Sequence, residues 1–146
     1  MILCNFTAKN GKYKLKDIES AFLLAVFVSC CSEDDEIVSP NMLQHGIVIM
    51  YENDVHCAVD GYAKFAALRS EYREMTPYVA TVSAGDFVIG DIVGSRTMGE
   101  AIIQIMNKVG YDYVTLGNHE FDYGIERMNY LLNDCLNATI VDATLV

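Results

Sequence analysis

The polar residues best suited to chemistry fall at three evenly spaced points in the chain, Asp54, Asp86 and Asn118. Each follows a stretch rich in apolar and β-branched residues, which is typical of a buried strand. The intervals from 54 to 86 and from 86 to 118 are both 32 residues long, and a strand with its crossover helix and loops needs about 30 residues. The spacing therefore places all three side chains at one edge of a parallel sheet, where ligands bind in open α/β sheets.

These residues, together with His56, form a ligand set for a hard divalent cation. Carboxylate, amide and imidazole donors suit Mn²⁺, Zn²⁺, Mg²⁺ or Fe²⁺ better than softer ions. Asp86 follows the middle one of the three strands, so its carboxylate is placed to bridge two ions about 4 Å apart. Water held between two such ions is a hydroxide near neutral pH and attacks phosphorus in line. The alternative is that Asp54, Asp86 and Asn118 are loop-forming or helix-capping residues.

The elements between these points alternate between strand-like and helix-like patterns. A capping-box pattern at Thr97–Glu100 predicts the start of the helix that ends at Gly110. The resulting βαβαβαβ order predicts an α/β fold with a mainly parallel sheet covered by helices. The predicted strands cover residues 46–51, 78–83, 111–116 and 138–142, and the predicted helices cover residues 61–75, 97–109 and the segment from 125 onward.

The first 45 residues have a different composition. Residues 21–29 form an apolar run that is too short to span a bilayer as a helix but matches a signal-peptide core. The small residue before Cys30 and Cys31 resembles the lipobox of bacterial lipoproteins. We therefore expect lipidation at Cys30 or Cys31 and a membrane anchor in the bacterial cell envelope; the alternatives are a buried helix and a wrongly assigned start of translation. The predicted organisation is a lipoprotein-type signal peptide over 1–29, a polar linker over 30–45 and a partial domain over 46–146.

Charge and cysteine content exclude several classes of protein. The formal net charge of −10 argues against a nucleic-acid partner, because no basic stripe is available to neutralise phosphates. A small phosphate compound can still bind if metal ions supply the positive charge. The five cysteines are irregularly spaced and form no C-x-x-C pair, so they indicate neither a disulfide framework nor a cysteine zinc site.

Three motifs, in this order, resemble the amino-terminal half of the calcineurin-like metallophosphoesterases: N-D-x-H at 53–56, G-D-x-x-x-G at 85–90 and G-N-H-E-F-D-Y-G at 117–124. The sequence is more narrowly similar to the 5′-nucleotidase branch, which also hydrolyses UDP-sugars and cyclic nucleotides. The resemblance implies a four-layer αββα sandwich, of which this chain holds the βαβαβαβ half. It also implies two divalent metal ions and a nucleotide or other phosphoester as substrate.

The resemblance also implies roles for individual residues. Asp54 and His56 would hold the first metal ion, Asp86 would bridge the two ions, and Asn118 would hold the second ion. His119 would stabilise the transition state near the leaving group.

Asp122 would orient His119 and raise its basicity, as carboxylates do for functional imidazoles. The alternatives are that His119 is a structural histidine and that Asp122 is an acid of the first helical turn. Glu120 is interpreted as structural, pairing with backbone near the turn.

The chain departs from the family pattern in two respects. It contains only three histidines, His45, His56 and His119, whereas the family completes its site with further ones, and it has Cys57 where relatives usually have glycine. We therefore expect weak metal binding and little or no turnover from the 146-residue chain. Two non-catalytic alternatives are a degenerate lipoprotein that acts as an interaction module and a flavodoxin-like binding module.

Overall fold

A six-stranded sheet forms the centre of the structure, which is a computed structural model. It describes the backbone of residues 2–9 and 12–19, and the backbone and side chains of residues 46–142. The strands are β1 (Ile2–Lys9), β2 (Lys12–Glu19), β3 (Val48–Glu52), β4 (Val79–Ser83), β5 (Tyr113–Val114) and β6 (Thr139–Ile140). Their spatial order is β2-β1-β3-β4-β5-β6; β1 and β2 form an antiparallel hairpin, and all other neighbours are parallel.

Helices connect the parallel strands from β3 onward, which confirms the predicted α/β architecture. Because β3 to β6 are neighbours in chain order and crossovers are right-handed, the connecting helices lie on one face of the sheet. A 3₁₀ turn at His119–Phe121 follows β5, and a π-helical turn at Leu131–Cys135 precedes β6. The α-helices are α1 (Val59–Met75), α2 (Ile92–Thr97), α3 (Glu100–Val109) and α4 (Ile125–Tyr130).

The core lies between this helical layer and the sheet. Alternate residues of β3 and β4 are buried, because successive side chains of a strand point to opposite faces. On the helical side, α1 packs against both β4 and α3. The fully or nearly fully buried side chains include Val48, Met50, Phe65, Tyr72, Val79, Ile102, Ile103, Met106 and Val114.

The start of α3 differs from the capping-box prediction. Thr97 is the last residue of α2, so it is not the N-cap residue of the next helix. Met98 and Gly99 both adopt positive φ and turn the chain between the two helices, and Gly99 precedes α3. The Thr97 hydroxyl still accepts a hydrogen bond from the Ala101 amide at 3.2 Å. The predicted end of α3 is confirmed, since Gly110 follows its last residue in a left-handed conformation.

The amino-terminal hairpin was not predicted from the sequence. Strand β1 pairs in parallel with β3, with Ile2 opposite Val48, and extends the sheet beyond the four expected strands. Residues 20–45 lie outside the described residues, and with them the predicted apolar core, Cys30, Cys31 and His45. The signal peptide and lipid anchor therefore stay predictions. Within the described part of the chain, no helix has the length and apolarity needed to cross a bilayer.

Candidate metal centre

The loops that follow β3, β4 and β5 meet at the carboxyl edge of the sheet, as the residue spacing predicts. The amide of His56 donates to the carbonyl of Asp86 at 3.0 Å, which ties the first loop to the second. The amide of His119 donates to Asp86 Oδ1 at 2.9 Å, which ties the second loop to the third. Gly85 and Gly117 approach so closely that a Cβ on Gly85 would overlap the Gly117 backbone. Asp86 therefore stands at the centre of the three loops.

Four non-glycine residues of these loops have left-handed backbone conformations. The φ values are 54° at Asp54, 47° at His56, 60° at Cys57 and 58° at Asp86. Such conformations are uncommon outside glycine, and they cluster at functional sites where the surrounding contacts hold them in place. The backbone is thus bent where the candidate ligands project.

His56, Asp86 and His119 bring one potential ligand atom each to within 4.8 Å of one another. The rings of His56 and His119 lie edge to face with centroids 5.0 Å apart. Asp54 joins the group, because its Oδ1 lies 3.8 Å from His56 Nε2. The His56 imidazole and the Asp54 and Asp86 carboxylates are donors that suit a divalent ion of the Zn²⁺ or Mn²⁺ type, and His119 lies beside them.

The electrostatics of Asp54 also fit a cation at this position. Partial burial and the adjacent Asp86 carboxyl raise the pKa of Asp54, and this effect outweighs the lowering by His56 and His119. Two carboxylates that repel each other at one edge favour a positive ion between or beside them.

A carboxylate contacts His119 at Nδ1, on the side of the imidazole ring away from Nε2. Its Nδ1 lies 2.7 Å from Asp122 Oδ2, and this hydrogen bond is the main cause of the raised pKa of His119. The contact predicted between these two residues is therefore present. Their proposed catalytic roles stay predictions, because a contact between two side chains does not assign chemistry.

Asn118 occupies the residue before the 3₁₀ turn and is exposed. Among the described residues its side chain makes no capping hydrogen bond, so the alternative interpretation of Asn118 as a helix cap is not supported. Cys57, at the position where the resemblance predicts glycine, is fully buried, and burial raises the pKa of its thiol to about 11. The Cys57 thiol is therefore protonated and inert at neutral pH.

A buried polar cluster beneath the loops was missed in the sequence. Glu52, the last residue of β3, is 1% exposed and lies beside Tyr62 and Tyr111. Neither carboxyl oxygen nor either tyrosine hydroxyl has a well-oriented hydrogen-bond partner among the described residues. Burial raises the pKa of Glu52 to about 8, and the nearby Ser83 and Tyr111 hydroxyls offset this only in part. The signal was present in the sequence, because Glu52 continues the inward alternation of Val48 and Met50.

Replacement of Glu52 by glutamine is expected to flatten the pH dependence of stability in the metal-free protein. The folded state retains the Glu52 proton up to about pH 8, whereas the unfolded chain loses it near its ordinary pKa. The wild-type free energy of unfolding therefore falls as pH rises through this window, and the variant lacks that loss, which amounts to about 4 kcal/mol by about pH 8. Urea unfolding across the window measures the difference. The exposed Glu126→Gln variant is the control, and parallel curves for wild type and Glu52→Gln would contradict the prediction.

The calcineurin-like phosphoesterase family model matches residues 47–142, which include every candidate ligand in the three loops. The chain belongs to this family. The predicted fold class and family resemblance are thereby confirmed, and the family is metal-dependent, in agreement with the grouping of His56, Asp86 and His119.

Known proteins of the family are similar to parts of this chain. The trifunctional nucleotide phosphoesterase protein YfkN of Bacillus subtilis is 37% identical over 78 residues, which are 53% of this chain and 5% of that protein. The 5′-nucleotidase of Bos taurus is 31% identical over 116 residues, which are 68% of this chain and 20% of that protein. The crystal structure of Bacillus subtilis YfkN superposes with a TM-score of 0.56 at 27% identity, over 64% of this chain and 35% of that one. This chain thus spans a fifth or less of the length of the two sequence relatives.

Proposed function

We propose that the chain provides the metal-binding, amino-terminal part of a phosphoester hydrolase of the 5′-nucleotidase type. The observation that supports this most directly is the convergence of His56, Asp86 and His119 within 4.8 Å at the carboxyl edge of the sheet. The names of the relatives support a nucleotide as substrate, since a nucleotide phosphoesterase and 5′-nucleotidases are among them. The bacterial envelope location, through a lipid anchor at Cys30 or Cys31, is part of the proposal and rests on the sequence alone.

Most of the candidate residues at the edge of the sheet would bind metal ions, and a separate one would act on the substrate. Asp54 and His56 would hold one divalent ion, Asn118 the other, and Asp86 would contact both. When bound, such ions activate water and neutralise charge on the phosphoryl oxygens. Glycine-rich backbone at 85 and 117 lets the loops approach one another, so the donors are brought together without intervening side chains.

His119 would act on the leaving group. Because Asp122 binds Nδ1, the ring orientation is fixed and Nε2 is the nitrogen available to substrate. The raised pKa of His119 increases its protonated fraction near neutral pH, so it can donate a hydrogen bond or a proton to the departing oxygen.

The proposal is tested by phosphate release from 5′-AMP with the metal-free protein supplemented with Mn²⁺. We expect slow, Mn²⁺-dependent release that EDTA abolishes, and a rate at least about 100-fold lower in the His119→Asn variant. The variant also serves as a control for a contaminating phosphatase, because phosphate release by a contaminant would be the same in both preparations. Binding of Mn²⁺ with no release above the His119→Asn background would instead support the non-catalytic interaction module.

A further inference from the structure

Glu120 is buried at the junction of two of the site loops. It is 1% exposed and lies in the 3₁₀ turn after β5. Its Oε1 accepts hydrogen bonds from the amides of Phe87 at 2.8 Å and Val88 at 3.4 Å, and its Oε2 accepts from those of Asp86 at 2.9 Å and Gly117 at 2.6 Å. These four amides, the Glu120 amide cluster, come from the loops that follow β4 and β5.

The amide cluster includes the backbone of the central candidate ligand. Asp86 has a positive φ of 58°, and Phe87 and Val88 are almost fully buried. Their amides have no access to solvent in that position, so without an acceptor this turn would leave buried donors unpaired. A single carboxylate supplies the acceptors for all three, and through Gly117 it joins them to the loop that carries Asn118 and His119.

We propose that Glu120 is a positioning residue for the metal centre: its carboxylate fixes the loop after β4 against the loop after β5, and so presets the location of Asp86 relative to Asn118 and His119. Both carboxylate oxygens of Glu120 accept hydrogen bonds from backbone amides, so Glu120 is not among the proposed ligands. The inference rests on the proposed function in one respect, that these loops bind metal ions. Beyond that, it assigns the metal affinity in part to a buried residue that the sequence indicates only as structural.

Coupling of this kind has to operate in both directions. If the amide cluster holds the ligands in the geometry that the ion prefers, then the bound ion must strengthen the hydrogen bonds of the cluster by the same free energy. A residue that contributes only to the stability of the whole fold shows no such coupling to metal binding. Its substitution lowers the free energy of unfolding, but the molecules that remain folded bind the metal with unchanged affinity.

The test compares Mn²⁺ affinity in Glu120→Gln and in Met106→Ala, measured by calorimetry at a temperature where both variants are folded. Glutamine has nearly the same shape but replaces one acceptor oxygen by an NH₂ donor that faces amide donors. We expect its dissociation constant to rise at least about 10-fold, whereas Met106→Ala, a cavity in the core on α3, leaves the constant unchanged. Equal affinity in wild type and Glu120→Gln overturns the inference. Absence of Mn²⁺ binding in wild type overturns the proposed function instead.

Hydrogen exchange of the wild-type protein gives a second readout that needs no variant. The amides of Asp86, Phe87 and Gly117 are expected to exchange slowly without metal, and to become slower still when Mn²⁺ is added. Exchange at these three amides that is indifferent to saturating Mn²⁺ would overturn the inference even if Glu120→Gln failed to fold.

Discussion

Replacement of Gly85 by alanine is expected to lower the free energy of unfolding by about 3 kcal/mol or more. Gly85 has a φ of +101°, and a Cβ atom there would overlap the Gly117 amide nitrogen and lie 2.9 Å from Gly117 Cα. These neighbours are backbone atoms of the loop after β5, so no side-chain rotation relieves the overlap. The two loops would have to separate, and urea denaturation of the metal-free protein measures the cost.

Gly124 offers a matched control for this substitution. It also has a positive φ, +86°, but no described atom beyond its own chain neighbours lies within 4 Å of the position that a Cβ would take. Gly124→Ala should therefore cost only backbone strain, about 2 kcal/mol, because its ψ of 158° lies in a region that is open essentially to glycine alone. Similar losses in the two variants would show that the contact between the loops adds nothing to the cost at Gly85.

The Asp86→Asn variant is expected to bind Mn²⁺ at least about 100-fold more weakly than wild type. The carboxamide oxygen of the substituted side chain could still accept the hydrogen bond from the His119 amide, so the loops keep their connection while the ligand charge is lost. At an ion concentration of about 100 times the wild-type dissociation constant, the ion stabilises the wild type by about 2.7 kcal/mol, and most of this is lost in the variant. Calorimetric titration and the Mn²⁺-dependent shift in melting temperature measure both effects.

Asp134→Asn provides the same change in charge at the other end of the sheet. Asp134 is exposed in the π-helical turn that leads into β6, whose start lies at the edge opposite the loops. Its substitution should leave Mn²⁺ binding as in wild type. Equal Mn²⁺ affinity in Asp86→Asn and Asp134→Asn would contradict the assignment of Asp86 as a ligand.

The fold was largely predictable because its repeating unit has a regular length. The spacing of Asp54, Asp86 and Asn118 located the ends of three parallel strands without any three-dimensional information. The extent of the strands was less predictable, since β5 covers only Tyr113–Val114 rather than residues 111–116. The residues on either side of β5 still form hydrogen bonds with β4. The Asp112 amide donates to the Thr81 carbonyl and the Thr115 amide donates to the Ser83 carbonyl, both at 2.9 Å. The chain then leaves the sheet early to build the site loop.

The site was predictable in composition, but its support only in part: the predicted pairing of Glu120 with backbone near its turn is confirmed at the Gly117 amide. Residue types and motif order identified Asp54, Asp86 and His119, because chemistry restricts which side chains can serve. The acceptor role of Glu120 toward Asp86 and Phe87 depends on two loops that lie more than 30 positions apart in the chain, and a hydrogen bond from a side chain to a distant backbone amide leaves no periodic signal. The left-handed backbone conformation of Asp86 was equally unpredictable from the sequence, because a positive φ is expected at glycine and the residue at this position is an aspartate.

Because β3 to β6 lie side by side in chain order, each parallel pairing joins residues about 30 positions apart, such as Val48 with Val79 and Val82 with Tyr113. This sequence separation is short for a parallel sheet. Only short loops therefore have to close before the strands can pair, which favours rapid folding. During synthesis each new strand can dock on the edge left by the previous one, from the amino-terminal side onward. The turn at Asp86 gains its acceptor only when Glu120 emerges after β5, so the geometry of this turn is completed one strand later than β4, the strand that leads into it.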